Sequence, residues 1–198
     1  RGTFSPNGER IMTYPWKRHG GGCRGSTGSI IRTYDLESGA LLESFEHSEA
    51  ILSLSWSGDS QRIATVRHNP GEVVIYSLEG QILRLYPVEL WNGYRKPWSV
   101  QLNPVTDEIL IRRECASINR TCFELIAANS DLPRWRNGEV TGVNGHFSAD
   151  GRFVFHNGNK ILDAATGAHL NNQKYSWASG SHDPTLISWV SGTRFRAD

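Results

Sequence analysis

The feature that most constrains this chain is a turn-and-strand unit that recurs along it. Its cleanest copy runs from Gly145 to Leu170, GHFSADGRFVFHNGNKILDAATGAHL. A strand ends at Phe147, the polar turn Ser148-Ala149-Asp150-Gly151 reverses the chain, and Arg152 to His156 begins a second strand with alternating apolar residues. Asn157-Gly158 readily takes the positive φ angles of a tight hairpin, so Lys160 to Asp163 returns as a third strand, closed by a turn at Ala165-Thr166-Gly167. One antiparallel meander cannot cover both of its own faces. It requires neighbours of the same kind.

Those neighbours are visible. Phe4-Ser5-Pro6-Asn7-Gly8, Trp56-Ser57-Gly58-Asp59-Ser60, Leu102-Asn103-Pro104-Val105-Thr106-Asp107 and Gly180-Ser181-His182-Asp183-Pro184 each line up with the Ser148 turn. Apolar second strands follow at Arg10 to Tyr14, Arg62 to Val66, Glu108 to Ile111, Arg152 to Phe155 and Thr185 to Trp189. Fourth strands fit Ala40 to Phe45 and Gln81 to Tyr86. The spacing is mostly about 45 residues, the length of a four-stranded propeller blade. The expected fold is therefore all-β, a β-propeller of four-stranded antiparallel blades near 1–46, 47–88, 89–136 and 137–174, with a partial blade at 175–198. The 20 glycines and 7 tryptophans suit many short strands, and no stretch has helical periodicity.

Within this frame, His47-Ser48-Glu49-Ala50-Ile51-Leu52-Ser53-Leu54-Ser55-Trp56-Ser57 and Tyr34-Asp35-Leu36-Glu37-Ser38-Gly39 resemble the repeats of WD-repeat β-propellers. Tyr34-Asp35 and Leu162-Asp163 stand where that family has Trp-Asp, Tyr76-Ser77 loses the acid, and His47 matches its Gly-His position without the glycine. The resemblance covers nearly the whole chain. It implies a recognition scaffold that needs no cofactor, with the loops between second and third strands and between successive blades gathered on one face, the top.

The first blade reads as lacking most of its first strand, and the fifth ends at Asp198 before a fourth, which leaves about four and a half blades. An open ring would expose strand edges and an apolar blade face. The chain is thus expected to be an incomplete portion of a larger ring, completed by further blades or by another chain; a loose five-bladed ring is the other solution. A start at Arg1 without Met fits a processed product or a fragment.

On the top face the resemblance places Arg18 and His19 of the first hairpin, together with Trp91, Tyr94, Arg95 and Trp98, and Arg134, Trp135 and Arg136, of two inter-blade loops. Trp and Arg combine apolar area with planar, charged hydrogen bonding and dominate contact energetics. These residues are the candidate partner-binding set, suited to a protein or peptide with an acidic or phosphorylated segment. The competing reading packs the aromatics between blades and leaves the arginines solvated.

Cys115 and Cys122 flank a hairpin connection, within disulfide reach if they face each other on antiparallel strands. Asn119-Arg120-Thr121 is an N-glycosylation acceptor at the presumed tip. Together they would mark an oxidising compartment. The simpler expectation is two reduced core cysteines and a chance sequon, which slightly favours the cytoplasm over secretion.

Other function classes find little support. Lys+Arg at 21 against Asp+Glu at 20 argues against a dedicated nucleic-acid binder, and no apolar run nears the length of a membrane-spanning helix. No His, Cys or carboxylate group has metal-ligand spacing, so neither metal nor cofactor is expected. His19-Gly20-Gly21-Gly22 lacks the Lys-Ser/Thr ending of a phosphate loop, and no nucleophile elbow accompanies it as an esterase would require. No catalytic residue is assigned. Two enzymatic alternatives stand beside the scaffold: the non-catalytic propeller of a larger hydrolase, and a five-bladed glycosidase, whose acid-bearing motifs Arg113-Glu114-Cys115 and Ser181-His182-Asp183-Pro184 faintly resemble.

Overall fold

The computed structural model describes residues 1–15, 28–48, 51–67, 71–88, 97–114, 121–140, 145–156, 160–170, 187–190 and 194–197. The first blade comprises β1 (Gly2–Phe4), β2 (Arg10–Thr13), β3 (Ser29–Asp35) and β4 (Leu41–His47). The second comprises β5 (Leu54–Trp56), β6 (Arg62–Arg67), β7 (Glu72–Ser77) and β8 (Ile82–Pro87), and the third β9 (Pro97–Leu102), β10 (Ile109–Glu114), β11 (Thr121–Ile126) and β12 (Pro133–Val140). In the fourth, β13 (Gly145–Phe147), β14 (Phe153–His156) and β15 (Lys160–Asp163) are followed by an isolated bridge between Leu162 and His169. β16 (Ile187–Val190) pairs with β17 (Arg194–Ala197). Every sheet is a meander in chain order, and no helix occurs among the described residues.

Two expectations are corrected. The first blade has its first strand: Gly2 to Phe4 pairs with Thr13 to Ile11, and the Tyr14 N–H donates to the Arg1 carbonyl at 2.9 Å. β1 is merely short, like β5 and β13. The third blade also has a fourth strand, so Arg134, Trp135 and Arg136 lie on β12 and not in an inter-blade loop. Its sequence, PRWRNGEV, shows no apolar alternation because an outer strand is paired on one side only, and Pro is tolerated at its first position.

The blades pack face to face because alternate residues of each sheet enter different cores. Ile63, Val74 and Tyr76 pack with Met12 and Ile31 of the first blade, whereas Ala64, Val66 and Val73 pack with Val100, Leu102, Ile109 and Ile111 of the third. Leu110, Phe123 and Leu125 turn the other way, onto Val154, Leu162 and Ala164 of the fourth. A fully buried side chain of this kind contributes about 1.5 to 3 kcal/mol. Each of these three cores joins successive blades, and ring closure is not seen among the described residues.

Polar groups finish the seams. The free edges of the innermost strands β9 and β13 would leave amides unpaired, and side chains of the preceding blade accept from them. Val100 N–H donates to Ser53 Oγ at 3.2 Å, Leu102 N–H to Ser55 Oγ at 3.0 Å, and Phe147 N–H to Gln101 Oε1 at 3.2 Å. The recurring turns are built alike: Ser5, Ser57 and Ser148 each accept, through Oγ, the backbone N–H five residues on, at 2.9, 2.9 and 3.1 Å.

The left-handed position of these turns is held by Gly8, Ser60, Asp107 and Gly151, at φ 74°, 58°, 58° and 70°. Where it is not glycine, its side chain reaches back one blade. Ser60 Oγ accepts from Asn7 N–H at 3.2 Å, and Asp107 Oδ2 from Arg62 Nη2 at 2.8 Å. Gly151 instead receives the third blade directly, its carbonyl accepting from Asn103 Nδ2 at 2.9 Å, and a Cβ there would collide with Asn103 Oδ1. Gly151→Ala is accordingly expected to cost about 2 kcal/mol in urea denaturation, from the positive φ and the collision together. A cost near zero would show that this seam is looser than described.

Candidate partner-binding surface

The outer strands show what the described part of the predicted rim does. Each of β4, β8 and β12 carries a register shift near its start, and beyond it an aromatic rests on the turn after the third strand of the next blade. Phe45 lies against Gly80, where a Cβ would collide with its ring. Tyr86 donates from its hydroxyl to the Ser130 carbonyl at 2.6 Å. Trp135 donates Nε1–H to the Ala164 carbonyl at 2.8 Å, and a Cβ on Gly167 would come within 2.6 Å of its ring. Trp135 is thus an inter-blade latch.

The two flanking arginines are held within their own blade. Arg134 Nη1 lies 2.6 Å from Glu108 Oε1, and Arg136 donates Nε–H to Glu124 Oε1 at 3.1 Å. Glu124 is buried and also faces Arg113, whose Nη2 lies 3.2 Å from Oε2. A desolvated carboxylate between two guanidiniums compensates charges that would be costly to bury singly. Trp98 is half-buried on β9 and not in an inter-blade loop, because the innermost strand already begins at Pro97. Arg18, His19, Trp91, Tyr94 and Arg95 lie outside the described residues.

At the seam between the first and second blades the sequence singles out His47 but not its partners. His47 is fully buried, its Nε2 lies 3.1 Å from Thr65 Oγ1, and its ring meets Tyr76 edge-on at 5.9 Å. The Tyr76 hydroxyl accepts from Arg67 Nη2 at 2.9 Å, and Arg67 Nη1 pairs with Glu72 at 2.9 Å. Burial pushes the Tyr76 phenol up, with Arg67 opposing. The signal for it was His47 itself, at the blade junction that aligns with the Gly-His position of the resembled repeat.

The opposite face consists of the short turns. Burial pushes the Asp59 and Asp150 carboxyls up, yet the hydroxyls of Ser57 and Ser148, both 2.5 Å away, and the N–H groups of Gln61 and Arg152 hold them below their ordinary range. The Ser38 hydroxyl and amide also hold the Asp35 carboxyl below its ordinary range. These acids are turn caps.

Cys122 is disulfide-bonded, against the expectation of reduced cysteines. It pairs across the hairpin with Arg113, while Cys115, Asn119 and Cys23 lie outside the described residues. Among the described residues no group of three or more His, Cys, Asp or Glu could hold a metal ion, and no helix is long and apolar enough to cross a membrane.

No protein-family model matches the chain, and no curated protein matches it. Similar solved structures include the β-propeller domain of Cps50 (Swd1) from Myceliophteria thermophila, with a TM-score of 0.60 and 15% identity over 88% of this chain and 55% of that one. Another is dihydro-heme d1 dehydrogenase NirN in complex with DHE, with a TM-score of 0.58 and 16% identity over 89% of this chain and 36% of that one. The chain spans less than two thirds of either protein's length. The likeness fixes the fold as a β-propeller.

Three outcomes follow from this geometry. Trp135→Ala should cost about 3 kcal/mol in chemical denaturation, whereas a rim residue free of the frame would cost almost nothing. Because the folded Asp59 and Asp150 carboxyls titrate below their unfolded values, their contribution is complete above about pH 4 and is lost as pH falls further. The acid limb of the stability profile should therefore be shallower in Asp150→Asn, and an unchanged limb would contradict the capping role. Alkylation of the denatured chain without reductant should label a single one of the three cysteines, and all of them after reduction; full labelling without reductant would show that Cys122 is a free thiol.

Proposed function

We propose that this β-propeller is a protein-interaction scaffold, not an enzyme, that binds a protein or peptide through the loops its blades hold in place. The observation that carries the reading is the internal use of charge, mostly within single blades and once between them. Arg62 serves Asp59 and Asp107, Arg67 serves Glu72, Arg113 and Arg136 serve Glu124, and Arg134 serves Glu108. Groups engaged in this way build a rigid frame, and a rigid frame presents loops without reorganisation on binding.

The partner-binding set then contracts to Arg18, His19, Trp91, Tyr94 and Arg95, with Trp98 at the start of β9. Its basic and aromatic composition complements an acidic or phosphorylated segment. The similar structures are a β-propeller domain and a dehydrogenase, so the fold is compatible with either class and the side chains bear the reading.

The test is retention of the full chain on an array of acidic and phosphorylated peptides. Trp91→Ala with Arg95→Ala should weaken retention by about tenfold or more, while Glu37→Gln on the opposite face leaves it unchanged. Undiminished retention in the double variant would reject the rim, and no retention by the wild-type chain would reject the acidic partner.

A further inference from the structure

We propose that the seam between the third and fourth blades is a pH-sensitive joint, held by Gln101 while the His146 ring is neutral and loosened when that ring takes a proton. The joint is independent of whatever the loops bind.

Gln101 on β9 and His146 on β13 belong to the innermost strands of successive blades. The Gln101 side chain crosses the seam and meets two groups: its Oε1 accepts the Phe147 N–H at 3.2 Å, and its Nε2 lies 2.7 Å from His146 Nδ1. A backbone amide can only donate, which fixes the end of the Gln101 amide that faces it and leaves the NH2 group pointing at the ring. Nδ1 is therefore the acceptor. The ring is neutral and carries its hydrogen on Nε2, a tautomer dictated by its partner.

A proton cannot be added without undoing this arrangement. The open position is Nδ1, so two donors would face each other across the same contact. Turning the Gln101 amide over satisfies the imidazolium but sets the NH2 group against the Phe147 N–H, which then loses its acceptor. Either way the charged state forfeits one of the two bonds across the seam and leaves a donor unpaired. The Ser53 and Ser55 hydroxyls that close β9 do not titrate in this range, so the equivalent bonds at the preceding seam are indifferent to pH.

Among the described residues nothing facing His146 favours the charge. β9 carries no ionisable side chain. On the neighbouring strands, Phe155 of β14 pairs with His146 and Ile161 of β15 pairs with Phe155, while His156 alternates to the opposite face and lies against Phe123. The carboxylates of the fourth blade are already engaged: Asp150 accepts from the Ser148 hydroxyl and the Arg152 N–H, and Asp163 from the Thr166 hydroxyl and N–H. Burial accordingly holds the His146 ring below its ordinary range. A base whose folded form resists the proton contributes fully above its unfolded value, about 6.5, and progressively less as pH falls through it. That window lies above the one in which the turn carboxylates titrate.

The test is amide hydrogen exchange of β13 and β14 in the full chain at about pH 7.5 and about pH 5.5, corrected for the intrinsic rate. Opening of these strands should rise about tenfold at the lower pH. His146→Asn, whose Oδ1 can accept from Gln101 and does not titrate, should abolish the rise. Gln101→Glu, whose carboxylate accepts from both the Phe147 N–H and the imidazolium, should reverse its direction. Acid loosening that persists in His146→Asn, or a Gln101→Glu chain that still loosens on acidification, would overturn the assignment. The imidazole nitrogen spectrum of the wild-type chain supplies a readout that needs no variant. Hydrogen on Nε2 near neutral pH and titration below about 6.5 are expected, and hydrogen on Nδ1 would sink the joint.

Discussion

Ile63 and Ala64 are neighbours in sequence and lie in different cores, one against the first blade and the other against the third. The same holds for Ile109 and Leu110 on the next blade. A sheet that is apolar on both faces cannot be stable alone, and it cannot leave either face wet without forfeiting about 25 cal/mol for every Å² of apolar area exposed. Blades in series satisfy that demand. Each seam must then be dry, closely packed and free of unpaired polar groups.

The polar groups at the seams follow from this. An innermost strand has one free edge, and the structure closes it with Ser53, Ser55 and Gln101 from the blade before. An outer strand diverges from its neighbour, and Phe45, Tyr86 and Trp135 bridge the gap to the next turn. On the turn face, Ser60 and Asp107 accept a left-handed backbone in exchange for a bond to the preceding blade. Residues that look like surface decoration in the sequence are therefore fasteners.

That explains what could be read in advance. The Ser148-to-Gly151 turn and its copies were legible because local backbone chemistry specifies them, and β4 and β8 were legible near their observed limits because each follows a recognisable turn. β12 was not, since an outer strand of Pro, Arg, Trp, Asn and Gly carries no apolar alternation. Trp135 shows the same limit at the candidate site. Its sequence neighbourhood suggests an exposed aromatic between arginines, and only the contact with Ala164, 29 residues on, reveals a latch. The pairing of Arg134 and Arg136 with buried Glu108 and Glu124 was equally hidden, because it depends on strand register and not on local sequence.

A frame of this kind is indifferent to what its loops recognise, which is why fold and function separate so cleanly here. What it does require is that successive blades touch in the stated order and at the stated residues. The most direct measurement is nuclear Overhauser contact in the folded chain between the Phe45 ring and Gly80, and between the Trp135 indole and Gly167. Both contacts should be strong. Their absence, with the Phe45 ring in contact with third-blade residues instead, would mean two stacked layers in place of blades in series and would contradict the account.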